Sequence, residues 1–202
     1  MLFRSLIILQ GKVSFCPEKT LNLTVVFQII EKKLENWNLI TKIRRIMKFI
    51  LVDKIVKIVP GKEIQTVKNV SLSEEYLGDH FPTFPVLPGV FMLQGLVESA
   101  CWLVRETENF AHSMVLLAQA KNVKYKSFAA PGTSIQYTVT AKDIEENISS
   151  FSGIGTCDGQ PIVEARFSLR HFNLAEQDAK RTAEDAYIIE KLKERWKLLN
   201  GL

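Results

Sequence analysis

Metal-binding and redox side chains are scarce in this chain. Its three cysteines, Cys16, Cys101 and Cys157, are odd in number and share no Cys-x-x-Cys spacing. That excludes a disulfide framework and a zinc ribbon, and it suits a reducing, cytoplasmic setting. The three histidines, His80, His112 and His171, lie far apart with no His-x-Glu-type spacing beside them, so neither a metal nor any other cofactor is expected. There is no glycine-rich phosphate loop. Long apolar runs are missing too: nothing approaches the ~18–20 residues of a membrane-spanning helix, and the "LIIL" near the start is shorter than the about 7 residues of a secretory core. An excess of charge is also lacking where it would matter. The net charge is +4, but residues 1–46 hold eight Lys/Arg against three Asp/Glu, while residues 47–202 hold eighteen against nineteen. A nucleic-acid binder would carry a basic face on its folded part, so no nucleic-acid partner is expected.

What is present is enough apolar residue, 47% of 202, for one core. Residues 1–46 alternate between apolar and basic character without a sustained period, apart from a short helical pattern at "IIEKKLENWNLI", and are expected to be an extension outside the fold. Strand-like sequence begins at "MKFILVDKIVKIV" and meets a turn at Pro60-Gly61. Residues 89–106, "GVFMLQGLVESACWLVRE", are apolar on nearly every face, the pattern of a buried helix. "SIQYTVTAKDIEE" then alternates Ile135, Tyr137 and Val139 onto one face. "ISSFSGIGTC" and "QPIVEARFSLRHF" flank Asp158-Gly159, a dipeptide favoured in tight hairpins because both central residues need positive φ. A buried helix followed by long antiparallel strands predicts an α+β fold in which a curled sheet wraps the helix. Residues 173–202 switch to a helical period, with Ile189, Leu192, Trp196 and Leu199 forming one apolar stripe. This amphipathic tail would cover the sheet, a subunit seam or a substrate entrance.

Between strands and helix lies "DHFPTFPVLPGV", a histidine in a proline-stiffened turn. An imidazole with a pKa near ~6.5 is suited to proton transfer at neutral pH when it is held rigidly. Pro88-Gly89 opens the helix; there a glycine lets a ligand approach backbone N–H groups at the positive end of the helix dipole. The run His80-Phe81-Pro82-Thr83-Phe84-Pro85-Val86-Leu87-Pro88-Gly89-Val90 resembles the pattern His-Phe-Pro-x-x-Pro-Val-x-Pro-Gly-Val of the FabZ-type 3-hydroxyacyl-acyl-carrier-protein dehydratases. The likeness extends over roughly residues 48–172 and implies the hotdog fold, assigned here to residues 47–172.

The resemblance also implies a reaction, the dehydration of 3-hydroxyacyl thioesters on acyl carrier protein in fatty acid synthesis. His80 would be the base and the Gly89 N–H the donor to the thioester carbonyl. The family's acidic helix residue, which works with the histidine across a dimer interface, falls at Gln94. An amide matches the carboxylate in shape but delivers no proton. Glu98, four residues on, stands where the family more often has Gln, on the same helix face; it could substitute through a water, or simply pair with Arg105 or Lys124. Phe81, Phe84, Val90, Phe91 and Val97, with Leu93, would line an acyl tunnel. Lys121, Lys124 and Lys126 would steer the acidic carrier protein. The expected assembly is a homodimer, a multiple of dimers or a heterodimer. Two other readings stay open: a catalytically impaired acyl- or carrier-binding subunit paired with an active homologue, and an acyl thioesterase.

Overall fold

The computed structural model describes residues 49–81 and 83–201; the expected N-terminal extension and its helical segment lie outside them. The elements run β1 (Lys54–Val59), β2 (Glu63–Asn69), α1 (Glu75–Asp79), α2 (Gly89–Thr107), β3 (Met114–Tyr125), β4 (Ser134–Ile144), β5 (Ile148–Cys157), β6 (Gln160–Phe172) and α3 (Thr182–Leu199). The strands form one sheet in the order β1-β2-β4-β5-β6-β3, every neighbouring pair antiparallel. A six-stranded antiparallel sheet packed on one long helix is the α+β hotdog arrangement.

Alternation decides which side chains meet the helix. In β4, Ile135, Tyr137 and Val139 are buried as expected, and Phe151 in β5 and Val163, Ala165, Phe167 and Leu169 in β6 share the same interior. The β5–β6 hairpin turns on Asp158 and Gly159, with φ of 49° and 75°, both left-handed as a two-residue turn requires. β3 is an edge strand, and its pairing with β6 slips between Leu117 and Gln119 and again between Lys121 and Lys124.

Small residues set how close α2 lies to the sheet. A Cβ on Gly95 would sit 2.4 Å from the Tyr137 ring, and one on Gly153 would sit 2.9 Å from the Leu96 side chain. Met92, Leu93, Leu96, Val97, Ala100, Cys101, Trp102, Leu103 and Val104 are all buried. The helix is not enclosed on every side, however. Val90 is 41% exposed, and Gln94, one turn further along the same face, is exposed. The apolar periodicity overstated the enclosure because a sheet curled about one side of a helix leaves a strip for another element to cover.

Over the second half of α2 that element is the tail. The chain passes through short 3₁₀ turns at Leu174–Glu176 and Ala179–Arg181 before α3 begins, so the tail is not helical from residue 173. The buried Asp185 accepts hydrogen bonds from the Leu174 and Ala175 N–H groups, both at 2.9 Å, and from the Ser113 hydroxyl. The Trp196 ring lies 5.8 Å from that of Trp102 and 6.0 Å from that of Phe110. The tail therefore covers the helix. Arg195 Nη2 donates to Glu98 Oε1 at 2.9 Å while the Leu51 N–H donates to Glu98 Oε2 at 3.2 Å. The expected partners of Glu98, Arg105 and Lys124, are displaced in this role by a residue of the tail.

Replacing Gly95 by Ala is expected to lower unfolding free energy in urea by about 1–3 kcal/mol, the cost of overpacking a filled core. Gly78→Ala, where a Cβ meets nothing within 4 Å, should be neutral. Burial raises the Glu98 carboxyl above its usual value, while Arg195, the Leu51 N–H and Arg105 draw it back down. A raised folded pKa means that ionised Glu98 is the disfavoured form, and Arg195 offsets that penalty. Arg195→Met is expected to lose ~1 kcal/mol at pH 8, well under a fully buried pair because the Arg195 side chain is 36% exposed. The loss should shrink at acid pH as Glu98 takes up a proton. An equal loss at both pH values would separate Arg195 from Glu98.

Candidate active site at the start of the long helix

The histidine-bearing turn is positioned from β2. Ile64, Thr66 and Lys68 all point inward along that strand, so a lysine enters the interior. Its side chain is only 5% exposed, and its Nζ meets Glu74 Oε1 at 2.6 Å and Asp53 Oδ1 at 3.4 Å. Asp53 also accepts from the Asn69 N–H at 2.7 Å. Glu74 is the residue that precedes α1, and α1 runs directly into His80. A buried cation paired with two carboxylates thus ties the segment that carries the histidine to the sheet. Tyr76 of α1 packs its ring 5.0 Å from Phe91 of α2, and Phe49 lies 4.9 Å from Phe91.

After His80 the backbone turns sharply. Phe81 has φ of 49°, a left-handed conformation unusual for an aromatic residue, and such outliers persist where their surroundings hold them. The Phe84 N–H donates to the Phe81 carbonyl at 2.8 Å, and the Leu87 N–H to the Ala129 carbonyl at 2.8 Å. Val86 and Leu87 are buried. The Phe84 ring meets Phe128 edge-on at 5.9 Å. The turn is therefore clasped to the β3–β4 connection at two points, one polar and one aromatic.

His80 is half-buried, with its ring 4.5 Å from that of Phe81. Desolvation lowers its pKa below the ordinary imidazole value, so the ring is neutral and basic at neutral pH. Among the described residues its nitrogens have no hydrogen-bond partner. Pro88 caps α2 without a side-chain hydrogen bond; the Phe91 N–H turns back to the Pro88 carbonyl at 2.8 Å, which leaves the Gly89 and Val90 N–H groups as first-turn donors with no intrahelical acceptor. Gly89 is small for a reason additional to the one read from sequence, because a Cβ there would lie 3.2 Å from the Tyr125 ring. Around this end Phe81, Phe84 and Phe128 are each 59% exposed, and Val90 and Tyr125 are also exposed.

The other expected site residues divide clearly. Gln94 sits on the open face of α2, roughly 7.5 Å along the axis from Gly89 at 1.5 Å per residue. Glu98 is bound by Leu51 and Arg195, which gives its carboxylate a structural task. Phe91 is partly covered, whereas Val97 and Leu93 are buried in the core. Lys121 and Lys124 stand opposite Arg166 and Glu164 on β6, and Lys126 forms an ion pair with Glu164. All three lysines are exposed. Lys68, Tyr76, Tyr125 and Phe128 were missed. For Lys68 the signal was available, since alternation in "EIQTVKN" puts it on the inward face. For Tyr125 and Phe128 only the three-dimensional return of the chain supplies one. The fold also joins two of the histidines that are distant in sequence: His112 and His171 each place Nδ1 at 2.8 Å from an oxygen of Glu108.

Comparison with known proteins agrees with this geometry. Residues 45–166, more than half of the chain, match the model of the FabA-like domain. The chain is 32% identical over 126 residues to the 3-hydroxyacyl-[acyl-carrier-protein] dehydratase FabZ of Aromatoleum aromaticum, covering 59% of this chain and 85% of that protein. It is 36% identical over 119 residues to the FabZ of Desulfotalea psychrophila, covering 58% and 79%. Among solved structures, the dehydratase heterocomplex ApeI:P of Xenorhabdus doucetiae superposes with a TM-score of 0.55 at 17% identity, over 66% of this chain and 90% of that one, which supports the fold. With its His80 turn leading into a glycine-opened helix inside a curled sheet, the chain belongs to the FabA-like family.

Proposed function

We propose that this protein is a hydro-lyase that converts 3-hydroxyacyl thioesters carried on acyl carrier protein into trans-2-enoyl thioesters, in cytoplasmic fatty acid synthesis. The observation that carries the reading is the half-buried His80 imidazole, neutral at neutral pH and without a hydrogen-bond partner among the described residues, held in a clasped turn that delivers the chain to the N-terminus of α2.

The chemistry follows from that placement. His80 removes the proton beside the thioester carbonyl, and the electron pair moves onto the carbonyl oxygen. Negative charge building there is met by the Gly89 N–H at the positive end of the helix. The pair then returns to form the carbon–carbon double bond as the 3-hydroxyl leaves. The proton held by His80 goes to that hydroxyl, so water departs and the imidazole is restored. Gln94 orients the hydroxyl by hydrogen bonding and transfers no proton. Because Gln94 and Val90 face outward, the reading includes a dimer or a multiple of dimers, with the open strip of α2 covered by the partner subunit. Phe81, Phe84, Val90 and Phe91 supply apolar surface for the acyl chain. Val97 supports from the core. Lys121 and Lys124 offer positive charge for the carrier, with Lys126 engaged by Glu164.

A second reading rests on one residue. If the amide at position 94 halts proton delivery, the chain is an acyl- or carrier-binding subunit that works beside an active homologue.

Incubation with a 3-hydroxyacyl carrier-protein thioester separates these readings. Absorbance of the conjugated enoyl product is expected; silence would favour the binding subunit, and release of free thiol would favour a thioesterase. His80→Ala is expected to cut turnover by ~10³-fold or more, and Gln94→Glu to raise it by ~10-fold or more, within the range of general acid–base effects. A fully active His80→Ala protein would remove the imidazole from the mechanism. Since the basic form of His80 is lost as pH falls through a pKa lying below 6.5, the acid limb of kcat/KM should also lie below 6.5. A limb above that value would contradict the desolvated setting of the ring.

A further inference from the structure

At the opposite end of α2 three side chains converge that the dehydration does not use. Glu108 follows the last helical turn, its N–H bonded to the Val104 carbonyl at 2.9 Å. His112 lies on the connection to β3, and His171 lies near the end of β6. His112 Nδ1 is 2.8 Å from Glu108 Oε2 and His171 Nδ1 is 2.8 Å from Glu108 Oε1. The side chains of Glu108 and His112 are 14% exposed, and that of His171 is fully buried. One potential ligand atom from each residue lies within 4.8 Å of the other two.

We propose that Glu108, His112 and His171 form a structural binding site for a divalent transition-metal ion of the zinc class. Two imidazoles and one carboxylate are the borderline nitrogen and oxygen donors that such ions select. Small adjustments would let one cation replace the two Nδ1 protons that now face the carboxylate. Burial favours the neutral, ligating form of His171,. The partial exposure of Glu108 and His112 gives the ion a route in and leaves a coordination position for water. Arg105 is close enough to oppose added positive charge, but its guanidinium is turned onto the Trp102 ring, 5.2 Å from its centroid. The ion would clip the end of α2 to the start of β3 and the end of β6. Beside that junction, Ser113 and Asn173 join the strands to the tail through Asp185 and the Ser113 N–H. It takes no part in the reaction, because α2 puts it roughly 27 Å along the helix axis from Gly89.

The test uses the full, untagged chain after dialysis against EDTA. Titration with Zn²⁺ followed by calorimetry should give one ion per chain. Zn²⁺ in excess should raise the melting temperature by ~4 °C or more. Co²⁺ should give visible d–d bands without a thiolate charge-transfer band, which excludes the cysteines as ligands. His112→Asn, at a partly exposed loop position, should fold normally and bind Zn²⁺ at least ~10-fold more weakly; Glu108→Gln should behave likewise. Substoichiometric binding, a thiolate band, or unchanged affinity in His112→Asn would overturn the proposal and leave a purely hydrogen-bonded clasp. Dehydratase activity is not the readout, so failure here leaves the function of His80 untouched.

Discussion

The fold depends on the close approach of one helix to one sheet. Gly95 lets α2 lie directly against the Tyr137 ring, and Gly153 makes room for Leu96 from the other side. Any side chain at either position would hold the helix away from the strands, and every feature at the helix ends would move with it. With the helix seated, its N-terminus meets the Tyr125 ring and receives the proline turn, while its C-terminus delivers Glu108 to the two histidines. The chemistry of the site therefore begins with two missing methyl groups.

Charged residues inside this chain serve position more than stability. Lys68 draws two carboxylates under the sheet edge, and one of them starts the helix that carries His80. Glu98 connects the backbone before β1 to the tail helix through Arg195. Pairs of this kind gain little net free energy over an apolar packing of the same shape, because both partners lose hydration. What they add is direction, since a buried carboxylate tolerates only the geometry that satisfies it. The histidine turn relies on such directional contacts and on the strained Phe81 backbone, whereas the core relies on undirected apolar burial.

Much of the architecture could be read from local pattern. Alternation through Ile135, Tyr137 and Val139 gave the inner face of β4; Asp158-Gly159 gave the β5–β6 hairpin; the proline-glycine pair gave the start of α2. These signals are short-range, so a sequence displays them directly. The order of strands, the use of Arg195 as partner to Glu98 across 97 residues, and the union of Glu108 with His171 across 63 depend on the folded path and leave no local trace. The helix expected to be buried leaves Gln94 exposed, because helical periodicity records which residues are apolar but not how far a sheet will wrap. Lys68 is a different case: its inward position was visible in the alternation, yet a lysine is by default placed outside. The histidine turn itself was legible because its prolines and glycine constrain the backbone wherever they occur.

The edge strand β3 has a consequence of another kind. An unpaired strand border is a template for uncontrolled association between chains. Here the border carries Lys121 and Lys124, slips register twice against its neighbour, and includes Asn122 at φ of 52°. Like charges and kinks make it a poor surface for another molecule's backbone to zip onto. The same border that supplies lysines to the site end of the fold thus also limits the backbone pairing open to it: only a strand that matches an irregular, positively charged rim can add to the sheet there.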